Sequence, residues 1–339
     1  MSKKVLIGLS GGIDSSYSAY LLKEMGYEVE GLYLKLHNKD NYFDANIKIV
    51  KKVASFLKIP IHILDLQDSF FKKVYKPFVD TYINGETPNP CVVCNREIKF
   101  GEMFQFAEKI GADFLATGHY LKHDGKFLLE ALDETKDQSY FLFNIDKKII
   151  PKLLFPLGDY KKVDVKKSAS RIPELVEIAS QKESSEICFV EKNYVDIIKN
   201  YKNVDLEGDV LSPTGNIIGK HKGYMHYTIG KRKGFTLKVA HVPHYVTDII
   251  ADKNQIIVGQ KEDLAKQSVT LRNLNMFIDD KIFEATVKLR YRTKAISCKV
   301  EIIDSFAKVQ LEEPIFGLAK GQAGVFYKDG KIIGGGWII

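Results

Sequence analysis

The sequence predicts an α/β protein that begins with a helix-covered parallel sheet and ends in a small antiparallel β-barrel. Short apolar runs at residues 29–36, 61–66 and 114–117 alternate with helix-like stretches at 47–57 and 97–110. Strand-like segments that alternate with helix-like segments are typical of parallel strands joined by helices. We therefore expect a Rossmann-like N-terminal domain.

The second half of the chain is predicted to be rich in β-strands. After Asn203 no long helical period returns, and glycines separate short strand-like pieces. From Val269 onward, further strand-like runs and a turn at residues 328–330 are typical of a small antiparallel barrel. The predicted domains are residues 1–203 with the parallel sheet, 204–268 as a small β-rich central domain, and 269–339 as the barrel.

Composition and charge narrow the classes of function. The 339 residues are enough for two or three domains, and 50 Lys and Arg against 43 Asp and Glu leave a net charge of +7. This excess permits an anionic partner, and nucleic acid is favoured only with local support. The N-terminal apolar run is too short for a signal peptide, and no apolar run approaches membrane-spanning length. With four cysteines and no secretion signal, we expect a cytoplasmic protein whose cysteines are reduced, reactive or metal-binding.

Residues 10–15, which read SGGIDS, are the strongest local signal in the chain. They follow the apolar run at 5–7 and open a predicted helix at 17–25. Two glycines, the helix dipole and the hydroxyls of Ser10, Ser15 and Ser16 can together face the pyrophosphate of a nucleotide. The pattern resembles the PP-loop of the ATP pyrophosphatases and lacks the Walker A lysine, which points to adenylation. The alternatives are a plain Gly-Gly turn, and Asp14 as an ordinary acid of a first helical turn.

A second glycine turn, ATGHY at residues 116–120, follows another predicted strand. In a parallel sheet, ligands bind at the carboxyl ends of the strands. We therefore expect the two turns to meet at one nucleotide.

The cysteines suggest thiol chemistry. Cys91 and Cys94 form a CxxC pair just after a proline-rich loop. A helix predicted from Glu97 would lower the pKa of Cys94 through its N-terminus and make it a nucleophile. Positive side chains in the same segment add to this effect: Arg96 and Lys99.

The other two cysteines lie far along the chain from this pair. Cys188 stands in the segment EICFV, and Cys298 stands in a strand pattern that suits a buried apolar cysteine. A structural zinc site would usually need a second close pair of ligands, which the sequence does not show.

A stretch of basic and aromatic residues is the local support for RNA. It covers residues 220–227 and continues to 231–233, so that cations alternate with rings. The cations can bind phosphates while the rings stack on bases or ribose. A solvated basic face of a β-domain is the alternative.

Nine motifs together resemble those of one enzyme family. They occur in the family's order between residues 10 and 327, and the resemblance as a whole covers residues 5–337: SGGIDSS, TPNPCVVCNREIKF, ATGHY, KDQSYFL, FPLGDY, EICFV, YTIGKRKG, LRYR and KGQAGVFY. The chain thereby resembles the tRNA-specific 2-thiouridylases, the MnmA/TrmU family of the PP-loop ATP pyrophosphatase superfamily.

The resemblance implies an adenine nucleotide alpha-hydrolase-like fold and an ATP-dependent sulfurtransferase. ATP would adenylate the 2-oxygen of the wobble uridine in tRNAs for Lys, Glu and Gln, and sulfur would then displace AMP to give 2-thiouridine. Cys188 would carry a persulfide received from a relay partner, a cysteine desulfurase or a carrier protein. Cys94 would be the partner nucleophile, and a Cys94–Cys188 disulfide would remain. Flipping the wobble base into a pocket would suit a reaction on an atom that stacking hides.

The family pattern also implies binding residues. Asp14 would help to hold Mg²⁺ near the pyrophosphate, and His119 is equally well explained as a satisfied core histidine. The residues expected on ATP are Gly8, Leu9, Ser10, Gly11, Gly12, Ile13, Asp14, Ser15, Leu34 and Gly118. The residues expected on tRNA are Asn89, Pro90 and Cys91 at the target base, with His119, Lys136, Asp137, Gln138, Arg290, Tyr291 and Gln322.

The sequence leaves alternatives to this interpretation open. Many family members carry Asp where Cys91 stands, and three cysteines, Cys91, Cys94 and Cys188, would suit an iron–sulfur cluster with one open iron. The motif SGGIDS alone fits equally a PP-loop enzyme that acts on a small molecule. A tRNA-binding or sulfur-carrier protein without catalysis is a third class, against which the complete nucleotide loop argues.

Overall fold

The computed structural model describes residues 2–37, 40–181, 187–238 and 242–339, with only the backbone of residues 40–44. The chain forms two compact units. The first comprises residues 1–74, 91–185 and 329–332, and the second comprises 75–90, 186–328 and 333–339.

A parallel sheet is the centre of the first unit. Its strands lie in the order β3-β2-β1-β4-β7, and every neighbouring pair is parallel. Val5, Leu6 and Ile7 of the central strand are fully buried, as expected where helices cover both faces of a sheet. The strands of this unit are β1 (Lys4–Gly8), β2 (Glu28–Lys35), β3 (Ile61–Asp65), β4 (Phe114–Ala116), the hairpin β5 (Lys122–His123) and β6 (Leu128–Leu129), and β7 (Leu153–Leu154).

The α-helices of the described residues, in order, are α1 (Ile13–Glu24), α2 (Asp40–Leu57), α3 (Gln67–Phe70), α4 (Lys76–Ile83), α5 (Pro90–Cys94), α6 (Met103–Lys109), α7 (Lys162–Ala169), α8 (Val176–Ala179) and α9 (Tyr194–Ile198). Two π-helical segments join them at Phe71–Tyr75 and Asn95–Glu102. Short 3₁₀ turns lie at Ser139–Leu142, Lys147–Lys152, Pro173–Leu175, Tyr224–His226, Ala251–Lys253 and Glu262–Leu264. Side chains of α1 and α2 share a buried apolar cluster with the sheet.

The second unit contains a mixed sheet and a closed barrel. The mixed sheet has the order β10-β9-β8-β12-β11, and its β8–β12 pair is parallel. Its strands are β8 (Gly208–Leu211), β9 (Ile217–His221), β10 (Phe235–Leu237), β11 (Tyr245–Ile250) and β12 (Gln255–Gly259).

The barrel strands are antiparallel and alternate buried with exposed residues, as β16 shows over its first six positions. Strands follow the order β13-β16-β15-β14-β17-β18, and pairing of β13 with β18 closes the barrel. Its strands are β13 (Ala265–Met276), β14 (Ile282–Lys288), β15 (Ile296–Ile303), β16 (Phe306–Phe316), β17 (Ala323–Lys328) and β18 (Lys331–Ile338).

The predicted fold class is confirmed, because a parallel sheet is followed by a β-rich central sheet and then by an antiparallel barrel. Over the residues that the structure covers, no helix has both the length and the apolar character needed to cross a membrane.

Candidate active site

The turn between β1 and α1 leaves the helix N-terminus open. Gly11 has a φ angle of +86°, which favours glycine, and Gly12 is an N-cap without a side chain. The hydroxyls of Ser15 and Ser16 each donate a hydrogen bond of 3.0 Å to the Gly12 carbonyl. These two hydroxyls therefore shape the turn here, whereas we had expected them to face phosphate. The first N–H groups of a helix lack intrahelical acceptors, so the turn is suited to an anion.

Gly118 lies directly against this turn. A Cβ atom at Gly118 would lie 2.7 Å from the backbone nitrogen of Ser15 and 2.8 Å from the carbonyl carbon of Asp14, so a larger residue would push the two turns apart. The two turns therefore contact each other as expected, and a nucleotide bound between them stays a prediction. Leu34 is the second-last residue of β2, half-buried, at the same carboxyl edge of the sheet.

Asp14 forms an ion pair that the sequence did not predict. The Nζ atom of Lys162 lies 2.5 Å from Oδ1 and 2.7 Å from Oδ2 of Asp14, and the Tyr120 hydroxyl donates to Oδ1 at 2.9 Å. The side chain of Lys162 is only 8% exposed, and its ammonium lies 5.7 Å from the centre of the Tyr120 ring. A lysine is rarely this buried unless it is paired. The site therefore holds a fixed cation beside the turn between β1 and α1.

The position of Lys162 explains why it was missed. It is the first residue of α7 and directly follows the motif FPLGDY with Lys161. Its backbone N–H donates to the Asp133 carboxylate at 2.9 Å, which fixes the start of the helix. Two adjacent lysines at a helix start look like solvated charges in a sequence, and only the fold shows that one of them is buried against Asp14.

His119 is held between two side chains in the turn after β4. Its Nδ1 atom lies 2.8 Å from the Thr117 hydroxyl, and its Nε2 atom lies 3.4 Å from Nζ of Lys99. Burial, with the nearby Lys99 cation, holds the pKa of His119 well below its usual value. The ring is therefore neutral at pH 7. With Nε2 accepting from Lys99, the Nδ1 proton donates to Thr117.

The helix that carries the CxxC pair begins earlier than we expected. Helical structure runs without a break from Pro90 to Lys109, and proline suits a first helical position because its missing N–H costs no bond there. Our expectation that a helix starting at Glu97 would present its N-terminus to Cys94 is therefore wrong. Cys94 is the fifth residue of the run and is 8% exposed, whereas Cys91 lies in the first turn and is half-buried.

The two side chains that follow Cys94 form hydrogen bonds with residues 141–144. A guanidinium nitrogen of Arg96 donates to the carbonyl and the side-chain oxygen of Asn144, at 3.1 and 2.9 Å. The side-chain amide of Asn95 donates to the Phe141 carbonyl at 3.0 Å, while its buried Oδ1 atom has no hydrogen-bond partner among the residues that the structure describes. The segment after Cys94 is thus tied to residues 141–144.

Cys188 lies in a tight turn on the surface of the second unit. The backbone N–H of Val190 donates to the carbonyl of Ile187 at 2.9 Å, and Cys188 is exposed between them. All four cysteines are described as thiols, so the disulfide implied for turnover stays a prediction. Among the described residues no group of three or more His, Cys, Asp or Glu is arranged to hold a metal ion. The iron–sulfur cluster stays a prediction, because Cys91 and Cys94 belong to the first unit and Cys188 belongs to the second.

The barrel contacts the segment that leads to the expected base-contact residues. The side-chain amide of Gln322 donates to the carbonyls of Thr87 and Pro88, at 3.1 and 2.9 Å. The backbone N–H of Thr87 donates to the carbonyl of Lys320 at 2.8 Å. Gln322 thus holds the chain just before Asn89, which is 8% exposed.

The aromatic part of the RNA interpretation is wrong. Tyr224 and Tyr227 are only 4% and 2% exposed, so their rings pack inside the central region and cannot stack on bases. The cations of the same stretch point outward, as Lys222, Arg232 and Lys233 are exposed. Phosphate binding by these cations stays a prediction.

Comparison with known proteins assigns the family. Three family models match in succession: a tRNA methyl transferase HUP domain over residues 3–192, a tRNA methyl transferase PRC-barrel domain over 195–260, and an aminomethyltransferase beta-barrel domain over 266–338. The tRNA-specific 2-thiouridylase MnmA of Sulfurimonas denitrificans is 61% identical over 100% of this chain and 99% of the relative. The enzyme of the same name from Nitratiruptor sp. is 56% identical over the whole of both chains. The chain belongs to the MnmA family of tRNA-specific 2-thiouridylases.

For this MnmA family member, the remaining expected tRNA residues lie in varied settings. Asp137 is 6% exposed, and its carboxylate accepts hydrogen bonds from the Ser139 hydroxyl at 2.6 Å and the Ala131 N–H at 3.0 Å, so it stabilises its own loop. Gln138 accepts from the Tyr120 N–H at 2.9 Å. Arg290 donates to the Gly317 carbonyl. The half-buried ones are Lys136, Gln138, Arg290, Tyr291 and Gln322.

Proposed function

We propose that this chain forms 2-thiouridine in tRNA by activating the uridine with ATP and replacing its 2-oxygen with sulfur from a cysteine persulfide. The observation that carries the proposal is the N-terminus of α1, which no side chain caps. Gly118 lies against it, and the buried Lys162 lies beside it. Membership of the MnmA family supports tRNA as the substrate. The wobble uridine of the tRNAs for Lys, Glu and Gln is the target that we assign.

The first step is adenylation. The uracil 2-oxygen attacks the α-phosphorus of ATP while the proton on uracil N3 leaves to solvent. The bond to pyrophosphate breaks, and AMP becomes attached through the 2-oxygen. The uracil oxygen leaves as AMP far more easily than on its own, because negative charge then develops on a phosphate. The backbone N–H groups at the start of α1 stabilise the charge that builds up on the phosphates.

Lys162 and Asp14 supply opposite charges at this turn. We assign the Lys162 ammonium to the pyrophosphate, since a cation in a partly dry site stabilises charge in the transition state strongly. Asp14 is the carboxylate that we assign to Mg²⁺, which commonly binds through one or two carboxylates together with substrate phosphates. When bound, that ion would neutralise charge on the pyrophosphate. Leu34 lies at the same edge of the sheet and is assigned to the adenine.

The second step transfers sulfur. A relay protein first leaves a persulfide on Cys188, whose exposed position supports access by a partner as large as a protein. The outer sulfur attacks carbon 2 of the activated uracil, and the bond to AMP breaks. The Cys94 thiolate then attacks the inner sulfur, the sulfur–sulfur bond of the persulfide breaks, and a Cys94–Cys188 disulfide forms. The uracil keeps the outer sulfur, and two electrons from an external thiol restore the cysteines.

The predicted domain limits belong to this proposal. We assign residues 1–203 to ATP binding and catalysis, 204–268 to a central domain that contacts tRNA, and 269–339 to the C-terminal barrel. The cytoplasm is the compartment that the proposal requires, since tRNA is found there and thiols stay reduced.

The test is an anaerobic reaction with magnesium ATP, an unmodified wobble-uridine tRNA and the protein preloaded with persulfide. Pyrophosphate and AMP are quantified, and digested nucleosides are read by mass spectrometry. We expect 2-thiouridine to appear together with AMP, and only with tRNA present. Adenylation that ignores tRNA and serves a small molecule would contradict the proposal.

A further inference from the structure

The turn that carries Cys188 buries the side chain next to this cysteine. Of the four residues from Ile187 to Val190, Phe189 alone is buried, with 5% of its surface exposed, while Cys188 beside it is exposed. The backbone bond from Val190 to Ile187 closes the turn, so the two side chains at its tip are fixed relative to each other. Whatever holds Phe189 therefore also places the Cys188 thiol.

A row of aromatic rings along α4 holds Phe189. Tyr75 directly precedes α4, and Phe78 and Tyr82 follow within it at spacings of three and four residues, so the three rings lie on one helical face. The Phe189 ring packs edge-on against Phe78, with centroids 5.0 Å apart and planes at 86°, and lies 5.3 Å from the Tyr75 ring. Both geometries are favourable for aromatic pairs.

The same row holds the chain that follows. The Tyr194 ring stacks on Tyr82 with centroids 4.1 Å apart and planes at 7°. Asn193 caps the helix that begins there, since its Oδ1 atom accepts from the Val195 N–H at 3.1 Å. The Cys188 turn is thus attached to α4 at Phe189 and again five residues later. Such an arrangement gives an exposed thiol a restricted range of positions.

We propose that Phe189 is a positioning residue for sulfur transfer. By fixing the Cys188 turn to the aromatic face of α4, it orients the persulfide on Cys188. This inference rests on the proposed function, in which Cys188 carries the sulfur. To attack a carbon, the outer sulfur of the persulfide must be placed to within a fraction of an ångström. To receive that sulfur from a donor, the Cys188 thiol needs only to be exposed. Phe189 accordingly serves the transfer to uridine and has no part in adenylation.

The test compares Phe189→Ala with a matched control. Phe283→Ala removes a ring of similar burial that is also packed edge-on, against Phe326 at 5.7 Å, but in the barrel. Each protein is preloaded with persulfide and given magnesium ATP and tRNA. The measured quantity is 2-thiouridine formed per pyrophosphate released. Alkylation of Cys188 by iodoacetamide, before loading, is timed by mass spectrometry.

For F189A we expect the yield of thiouridine per pyrophosphate to fall about tenfold or more, since misplacement by about 1 Å can cost about 100-fold. Alkylation of Cys188 should stay within about threefold of the wild type, because the thiol remains exposed. F283A should keep the wild-type yield, and Phe189→Tyr should restore it. If F189A does not fold, Phe189→Leu tests the same point, with an intermediate yield expected.

An unchanged yield in F189A or F189L overturns the inference, and so does a loss of alkylation that parallels the loss of yield. A wild-type protein that forms neither pyrophosphate nor thiouridine with tRNA overturns the proposed function instead. The two failures are therefore distinguishable.

Discussion

Cys94 and Cys188, the two cysteines assigned to sulfur transfer, lie in opposite settings. Cys94 is 8% exposed, inside a continuous helical run that the Asn95 and Arg96 side chains attach to residues 141–144. Cys188 is exposed at the tip of a short turn. The Cys94 thiol is therefore shielded from solvent, whereas the Cys188 thiol is accessible to it.

This difference matches the two tasks of the proposed cycle. The persulfide carrier must meet a donor protein, so it has to be accessible. The partner thiol must attack only after the sulfur has reached the uridine, and burial keeps other oxidants and thiols away from it.

Loss of either thiol should have the largest effect. We expect Cys94→Ser and Cys188→Ser each to lower 2-thiouridine formation by more than about 1000-fold, because a nucleophile is removed. Both variants should still release one equivalent of pyrophosphate with tRNA, measured in a rapid-quench experiment.

A matched control separates these effects from the loss of any cysteine. Cys298 is 3% exposed in the barrel, where burial and the nearby Glu312 carboxylate raise the pKa of its thiol to about 12. Cys298→Ala should therefore keep wild-type thiolation. Thiolation that survives in C94S or C188S would remove the contrast between the two sites.

Substitutions at the nucleotide site should affect adenylation, the first step of the cycle. We expect Asp14→Asn and Lys162→Met each to slow pyrophosphate release by about 100-fold, since each removes a charge from the place where charge develops. In both variants a tRNA that is already adenylated should be thiolated at the wild-type rate. Lys162→Arg keeps the charge and should recover part of the rate.

Normal adenylation in D14N would show that Asp14 is only an acid of the first helical turn. Normal adenylation in K162M would show that the buried ion pair is structural. Removing one member of this ion pair also lowers stability, by less than the about 3–5 kcal/mol of a fully buried pair because 35% of the Asp14 side chain is exposed. The double variant D14N/K162M therefore serves to separate folding from catalysis.

The sequence predicted much of this molecule, for reasons that can be named. The PP-loop, the parallel sheet and the barrel follow from local patterns, because strand periodicity and glycine turns act over a few residues. Lys162 and Phe189 could not be found in this way, since each acts through a contact with a residue distant in sequence, Asp14 or Phe78. The helix start at Pro90 was missed although a proline suits that position.

Chemical labelling should sharpen the contrast between the cysteines. With limiting iodoacetamide at pH 8, we expect Cys188 to be modified at least about tenfold faster than Cys94, because rate follows access to the thiolate. Half-buried Cys91 should fall between them, and Cys298 should react last. Peptide mass spectrometry over time gives the four rates in one experiment. Equal rates for Cys94 and Cys188 would show that the helical run opens readily.

The smallest effect that we expect concerns His119, whose partner Lys99 lies on the same helical run as Cys94. The pKa of His119 is lowered by folding, so below about pH 6.5 the unfolded chain binds a proton that the folded protein does not. This group therefore makes the folded protein less stable as the pH falls from 7 to 5, by at most about 1.4 kcal/mol per pH unit. His119→Gln cannot titrate and should flatten the profile, measured by urea unfolding at pH 5 and 7. A profile with the wild-type slope would mean that His119 titrates normally and that its ring is solvated, as a residue waiting to contact tRNA would be.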